Sequence, residues 1–495
     1  MNQTSLLKHF KSMDDIINND QHNYQALPRV ETSYSYSRSR YNQYDIMKQS
    51  KQQNNQASNH QHDSMNPDNQ FNKIYTDRLE KLRPVLADKV AKIWKGTPVN
   101  KILHVKPGDE GILVGTLYKE MPLKPNILKQ YAENRAILPL PVKKVSSYIS
   151  DADVLLFEDE TGRIKLICDK SMVDGLPTGL NVAIRGKGLP GAEFQVYEII
   201  TPGLPSQMFV TNGVHGPDNK DINDDVYVCL ASGLNIGDPN CQLSNNLLLD
   251  YITGNLGSPS DQKFVSKICR LIIAGNSIHK EPNQDLSTRS RTKQEATAKL
   301  QKLAVPIKEL DMILSEMCQS LPVDILPGES DPSIQSLPQL PFNACLFPFS
   351  AQNINFNPVT NPYESVIGGK IFLGTSGQNI ENISKYMNVS SKLELLQNTL
   401  EWRHLAPTAP DTLSCAPLEQ DPFIIVCCPH VYFMGNGDRF ESKYIEGENG
   451  EQVCIVVVPK FSETGTVVLV NLRTLEATPV QINPTSFFPH SPNLN

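Results

Sequence analysis

The sequence predicts an α+β multidomain chain, a small β-barrel packed on an α/β domain. Three observations carry that reading. Six short, β-branched runs fall between residues 101 and 200, divided by turn signals. From Asp225 onward, apolar strands alternate with amphipathic helical runs. Residues 1–70 are of another kind: they hold ten Asn, ten Gln and four His, with few branched apolar residues. Such a head cannot bury enough surface to offset its ordering entropy and is expected to be disordered.

Order is expected from Phe71. Tyr75, Leu79, Leu82, Leu86, Val90 and Ile93 recur at helical spacing, so residues 71–98 form a helical lead-in, kinked or split at Pro84 and ended by Gly96. Residues 99–205 form the barrel. Its runs are 101–105, 111–118, 153–159, 163–168, 181–186 and 193–200, with a Pro- and Lys-rich loop at 119–150. Their number and size suit a barrel of the oligonucleotide/oligosaccharide-binding (OB) type, although periodicity alone fits other small barrels too. A polar linker covers 206–224. The α/β domain spans 225–484, with strands expected at 226–230, 270–274, 323–326, 371–373, 423–426, 431–434, 453–458 and 467–472. An amphipathic helix runs from Leu300 to Met317, with Pro306 within it as a point where a kink is expected. Residues 485–495 are a Pro/Asn tail.

Composition excludes several functions. The 46 Lys+Arg against 53 Asp+Glu leave a net charge of −7, poorly suited to gripping phosphate backbones as a main task. No apolar run approaches the ~18–20 residues of a membrane span. The start of the chain lacks the long apolar stretch of a secretory signal. Ten cysteines form no C-x-x-C pair and mostly sit in apolar runs, which points to buried thiols in a reducing compartment. Cys427-Cys428-Pro429-His430 reads as core rather than thiol chemistry, and Gly374–Asn379 as a tight turn without the lysine of a P-loop. Lys119, Lys124, Lys129, Arg135, Lys143 and Lys144 make the long loop basic. Its aromatic residues, Tyr118, Tyr131 and Tyr148, are sparse for base stacking, and a solvated loop is the simpler reading.

Ligands of α/β domains bind where strands hand over to loops. Those ends read V-C-L-A-S-G-L-N (228–235), L-I-I-A-G-N (271–276), D-I-L-P-G-E-S-D-P (324–332) and V-Y-F-M-G-N-G-D (431–438). Their order resembles the calcineurin-like metallophosphoesterases, whose strand-end motifs D-x-H, G-D, G-N-H-[DE] and G-H-x-H hold two metal ions. The resemblance places Gly233 and Asn235 at the first motif and Asn276 at the metal-bridging aspartate. Glu329 and Ser330 stand at the Asn-His pair, and Asn436 and Asp438 at the two final histidines. Asp331 matches an acid of the family, and His404 aligns with a further histidine. A neutral amide bridges two dications poorly. The site is therefore degenerate, with no metal, no cofactor and no catalytic residue expected.

A barrel followed by a phosphoesterase domain with erased ligands resembles the B-subunit family of replicative DNA polymerases, and its delta-type small subunits most. The carrying stretches are R-L-E-K-L-R-P (78–84), G-T-L-Y-K-E-M-P-L-K-P-N-I-L (115–128), P-V-D-I-L-P-G-E-S-D-P (322–332), L-P-Q-L-P (337–341), N-P-Y-E-S-V-I-G-G-K-I-F-L-G-T-S-G-Q-N-I (361–380), R-H-L-A-P-T-A-P-D-T-L (403–413) and C-P-H-V-Y-F-M-G-N (428–436). They span about 71–475 and leave out the head. The resemblance implies a non-catalytic, nuclear subunit. Its partners would be the cysteine-rich C-terminal module of the polymerase delta catalytic subunit and a further accessory subunit, with DNA touched only indirectly and no membrane. Two rivals stand beside it: a single-stranded DNA-binding OB module, and a residually active phosphoesterase or nuclease.

Overall fold

The computed structural model describes residues 36–38, 71–125, 147–208, 225–280, 293–418 and 420–482, with the backbone alone for 36–38 and 293–303. The rest of the head, most of the linker, the tail, and Lys129, Arg135, Lys143 and Lys144 lie outside the described residues.

Helix α1 (Asn72–Ile93) runs through Pro84 as one helix rather than splitting into two there. Pro84 and Glu80 both face solvent, and the Glu80 carbonyl goes without the helical N–H that Pro84 lacks. The buried stripe is also rotated from the expected one. Ile74, Arg78, Leu82, Leu86 and Val90 point inward, while Ile93 is exposed. Leu86, Val90 and Trp94 pack on Ile112, Val114 and Ala183 of the barrel.

The barrel strands are β2 (Val99–Asn100), β3 (Glu110–Glu120), β4 (Val154–Glu158), β5 (Arg163–Ile167), β6 (Asn181–Leu189) and β7 (Glu193–Ile200), with helix α2 (Lys170–Gly175) after β5. The order β3-β4-β5-β7-β6 closes through a β3–β6 pairing. Closure removes the free edges that an open sheet would leave. Residues 101–105 are not a strand. Ile102–His104 form a 3-10 turn whose first N–H groups go to side chains: Ile102 donates to Asp159 Oδ2 (2.9 Å) and Leu103 to Thr161 Oγ1 (3.2 Å).

The α/β part holds two six-stranded sheets. One has the order β11-β10-β9-β8-β17-β18, from β8 (Tyr227–Ala231), β9 (Ile268–Ala274), β10 (Val323–Leu326), β11 (Phe356–Pro358), β17 (Thr466–Asn471) and β18 (Ala477–Gln481). The other has the order β1-β12-β13-β14-β16-β15, from β12 (Tyr363–Ile367), β13 (Lys370–Thr375), β14 (Val431–Gly437), β15 (Glu441–Glu446) and β16 (Gln452–Pro459). Its remaining strand, β1, is Tyr36–Arg38, so the head is not wholly unstructured. It pairs antiparallel with β12.

The sheets stack through Val228, Leu230, Ile272 and Leu326 against Phe372, Val431, Phe433 and Val456. Helices α3 (Gln242–Thr253), α4 (Pro259–Val265) and α5 (Lys293–Ser320) follow strands of the first sheet. Leu247, Leu248, Leu310, Leu314 and Met317 cover its outer face. Helix α5 also runs on through its proline, Pro306. Helices α6 (Gln378–Ile383) and α7 (Lys392–Glu401) cover the second sheet, and α8 (Phe461–Thr464) caps β16. Residues 423–426 make only an isolated bridge, His404 to Ile424, and the Phe423 N–H donates to Asp421 Oδ1 (2.9 Å).

The outer face of the second sheet and the barrel interior share one apolar core. Leu117, Phe157 and Phe194 of the barrel belong to the same cluster as Leu373, Tyr432 and Val457 of the sheet. The barrel and the α/β part are therefore one packed body.

Candidate functional site at the strand ends

The loops after β8, β9, β10, β13 and β14 converge, and amide groups fill the place where they meet. Asn235, Asn276 and Asn436 all adopt positive φ (54°, 54° and 60°), which Asn tolerates better than most residues. The Asn436 side chain donates to Ala274 O (3.2 Å) and Ser376 O (2.9 Å), and its backbone N–H donates to Ser232 Oγ (2.9 Å). Ser232 in turn donates to Pro459 O (3.0 Å). Asn276 Oδ1 accepts the Ser330 N–H (3.1 Å). Gly233 leaves room for this packing, since a Cβ there would sit 2.9 Å from Asn436 Oδ1.

A second ring of neutral groups ties the next loops. Asn361 Nδ2 lies 2.8 Å from each of Gln339 Oε1, Ser376 Oγ and Gln378 Oε1. Gln339 Nε2 donates to Gly328 O (3.2 Å) and Ile334 O (2.7 Å). Asp331 is buried here, and its two oxygens accept the N–H groups of Ile278 (3.0 Å) and Gly328 (2.8 Å). Burial pushes its pKa up to about 6, against those hydrogen bonds. It serves as a loop clasp.

The structure thus brings Gly233, Asn276, Ser330 and Asn436 together. Asn235 stands beside them, its amide oxygen 3.1 Å from His279 Nδ1. Two other positions do not join. Glu329 is exposed, and Asp438 turns outward to pair with Lys392 (2.8 Å), which holds its carboxyl below the ordinary value. His404 does not join either. Its Nε2 is 2.8 Å from Asp421 Oδ2 and its Nδ1 accepts the Ala406 N–H (3.1 Å), so both ring nitrogens are engaged. The Gly374–Asn379 turn has its polar groups engaged by the protein, with Thr375 Oγ1 on Asn379 Oδ1 (2.9 Å) and Asn379 Nδ2 on Leu405 O (2.6 Å). At the Cys-Cys-Pro-His run, burial raises the Cys428 thiol to about 12 and lowers the His430 imidazole to about 4, which leaves no activated nucleophile.

A buried junction joins α1 to the α/β part. Arg78 Nε donates to Asp421 Oδ2 (2.7 Å), and its terminal nitrogens donate to Gly179 O (3.0 Å), Pro407 O (2.9 Å) and Ala409 O (2.9 Å). Burial alone would raise the Asp421 carboxyl, but Arg78 and His404 outweigh it and hold it well below the usual carboxylate range. Lys119 belongs to this junction rather than to a solvated basic loop. It is buried and donates to Tyr386 O (3.0 Å). Arg403 adds bonds to Gly203 O and Leu204 O, both 2.7 Å.

Comparison with known proteins agrees with this architecture. Residues 70–199 match the family model of the DNA polymerase delta subunit OB-fold domain, and residues 228–442 match that of the DNA polymerase alpha/epsilon B subunits. A DNA polymerase delta small subunit of Arabidopsis thaliana is 42% identical over 82% of this chain and 90% of its own length. That of Saccharomyces cerevisiae is 32% identical over 84% of this chain and 89% of its own. The chain belongs to the DNA polymerase delta small-subunit family. The likeness reaches a DNA polymerase II small subunit of Pyrococcus horikoshii, 22% identical over 76% of this chain and 55% of that protein.

Within this delta small-subunit chain, sequence reading missed Ser232, Gln339, Asn361 and Ser376, which tie the amide cluster, and Arg78 with Asp421, which tie the junction. Arg78 did leave a signal. It falls on the stripe Ile74, Leu82, Leu86, Val90, and a cation on an apolar stripe needs a buried partner. The polar cluster left none, because its members are far apart in sequence.

Proposed function

We propose that this chain is a non-catalytic scaffold of DNA polymerase delta. In this reading its α/β part is a calcineurin-like phosphoesterase skeleton with the metal chemistry removed, and its barrel is an OB fold. The pair of stacked sheets flanked by helices supports that reading. The body bridges the cysteine-rich module of the catalytic subunit and a further accessory subunit in the nucleus, with DNA touched only indirectly. One observation carries the proposal: neutral amides and hydroxyls, bonded to one another and to backbone, occupy the strand ends where two dications would need carboxylates and imidazoles. A rigid body with a shared core offers a preformed surface, so little ordering entropy is lost when a partner binds.

The DNA-binding rival draws little support from the barrel. Lys119 is buried and Lys124 pairs with Asp411. Tyr118 has Arg163 over its ring at 5.1 Å, and Tyr148 stacks on Tyr386 at 5.3 Å, so both rings are already engaged.

The proposal is tested with the full chain and added manganese. Metal content after gel filtration and hydrolysis of single-stranded DNA and of simple phosphoesters are measured together. No stoichiometric metal and no turnover are expected. Bound metal accompanied by turnover would revive the nuclease reading.

A further inference from the structure

The two stacked sheets have four edges, and the sequence blunts three of them. Strand β15 carries Glu441, Lys443 and Glu446. Strand β11 is three residues long and ends at Pro358. Strand β18 has Pro479 at its centre. Charges, prolines and shortness are the devices that keep an edge from pairing with another chain.

The fourth edge is β12, Tyr-Glu-Ser-Val-Ile, with no proline, no lysine and a single charge, Glu364. Its inner face is fixed in the core. Tyr363 OH donates to Asp324 Oδ2 (2.7 Å), Ser365 is buried and Ile367 is fully buried. Strand β13 takes one side of β12. On the other side, along Ser365–Ile367, the structure places Tyr36, Ser37 and Arg38, opposite Ile367, Val366 and Ser365. The surrounding sequence, Ser-Tyr-Ser-Tyr-Ser-Arg-Ser-Arg (33–40), alternates with the period of a strand. Among the described strands, the edge without its own protection is thus the edge that the head covers.

We propose that the outer edge of β12 is a strand-acceptor site, and that Tyr36–Arg38 is its intramolecular occupant, a detachable strap that keeps the edge from pairing with other chains. Three residues supply few ladder bonds, so the strap is a low-stability element that opens far more readily than the strands beneath it. Because it is tethered through residues 39–70, its pairing does not depend on protein concentration.

Hydrogen exchange of the full chain tests this. Neighbouring N–H groups on a strand point opposite ways, so the double variant Tyr36→Pro/Ser37→Pro removes whichever donor faces β12. A control, Gln52→Pro/Gln53→Pro, changes the head away from the strap. Peptides covering 363–367 are expected to exchange about tenfold faster in the strap variant alone. Peptides covering 452–459 should stay protected in all three proteins, which shows that the fold is intact. In the unaltered chain, protection of 363–367 should not change on dilution. Equal exchange at 363–367 in the strap variant and the unaltered chain would overturn the proposal. So would protection that falls on dilution, since a second copy would then be the cover.

Discussion

Replacing Arg78 with alanine is expected to lower the unfolding free energy by about 3–5 kcal/mol, because it leaves a buried carboxylate without its counter-charge. Arg78 and Asp421 have side chains 1% and 0% exposed, so water cannot take the place of the guanidinium. Three backbone carbonyls, of Gly179, Pro407 and Ala409, lose donors in the same step. Arg78→Lys should recover only part of the loss, since an ammonium cannot reproduce the planar fork that reaches four acceptors. The pH dependence follows from the depressed Asp421 carboxyl. A lowered folded pKa gives stability that is present above the unfolded value, ~3.9, and is lost as the pH falls through the folded value. Urea midpoints at pH 7 should therefore separate parent and Arg78→Ala widely, and the gap should narrow below about pH 4.

Gly179→Ala is expected to be nearly as damaging, at roughly 2 kcal/mol or more. Gly179 has φ of +87°, a conformation that costs any L side chain. An added methyl group would also collide with the Pro407 carbonyl oxygen across the junction. That oxygen is one of the acceptors of Arg78, so the two substitutions act on the same contact. Chemical denaturation of both single variants and the double should show a combined loss clearly smaller than the sum. Additive losses would mean that the two residues serve separate parts of the body.

The sequence makes some of this architecture legible and hides the rest for physical reasons. Runs that alternate or stay apolar over their whole length, such as 193–200 and 323–326, are strands as expected, because burial on one or both faces leaves a periodic signature. The same signal misleads at 101–105 and 423–426. There, apolar residues sit in a turn and at a bridge, with Leu103 and Val426 exposed, and N–H groups of Ile102, Leu103 and Phe423 go to the side chains of Asp159, Thr161 and Asp421. Strands β11, β15 and β18 escape the reading because edge strands carry Pro, Glu and Lys, which weaken the periodic pattern, and β12 because Glu364 and Ser365 break up its short apolar run. At the strand ends, motif order places Gly233, Asn276, Ser330 and Asn436 near one another. What it cannot convey is that Ser376 accepts a hydrogen bond from Asn436 and is tied in turn to Asn361 and Gln339, since those partners come from other loops. The junction is hidden for a related reason: Arg78 and Asp421 lie 343 residues apart.

Whether this body is a scaffold for a polymerase, rather than an enzyme in its own right, is best decided by what it holds in the cell. The deciding measurement is quantitative mass spectrometry of the assembly retained by the tagged full chain from its own cells, washed at ~0.15 M salt, near the ionic strength of the cell. The polymerase delta catalytic subunit is expected in near-equal amount to the chain, together with a further accessory subunit. Both should be lost in step with unfolding of the Arg78→Ala variant. A chain recovered without any polymerase catalytic subunit, and holding single-stranded DNA instead, would show that it is no such scaffold.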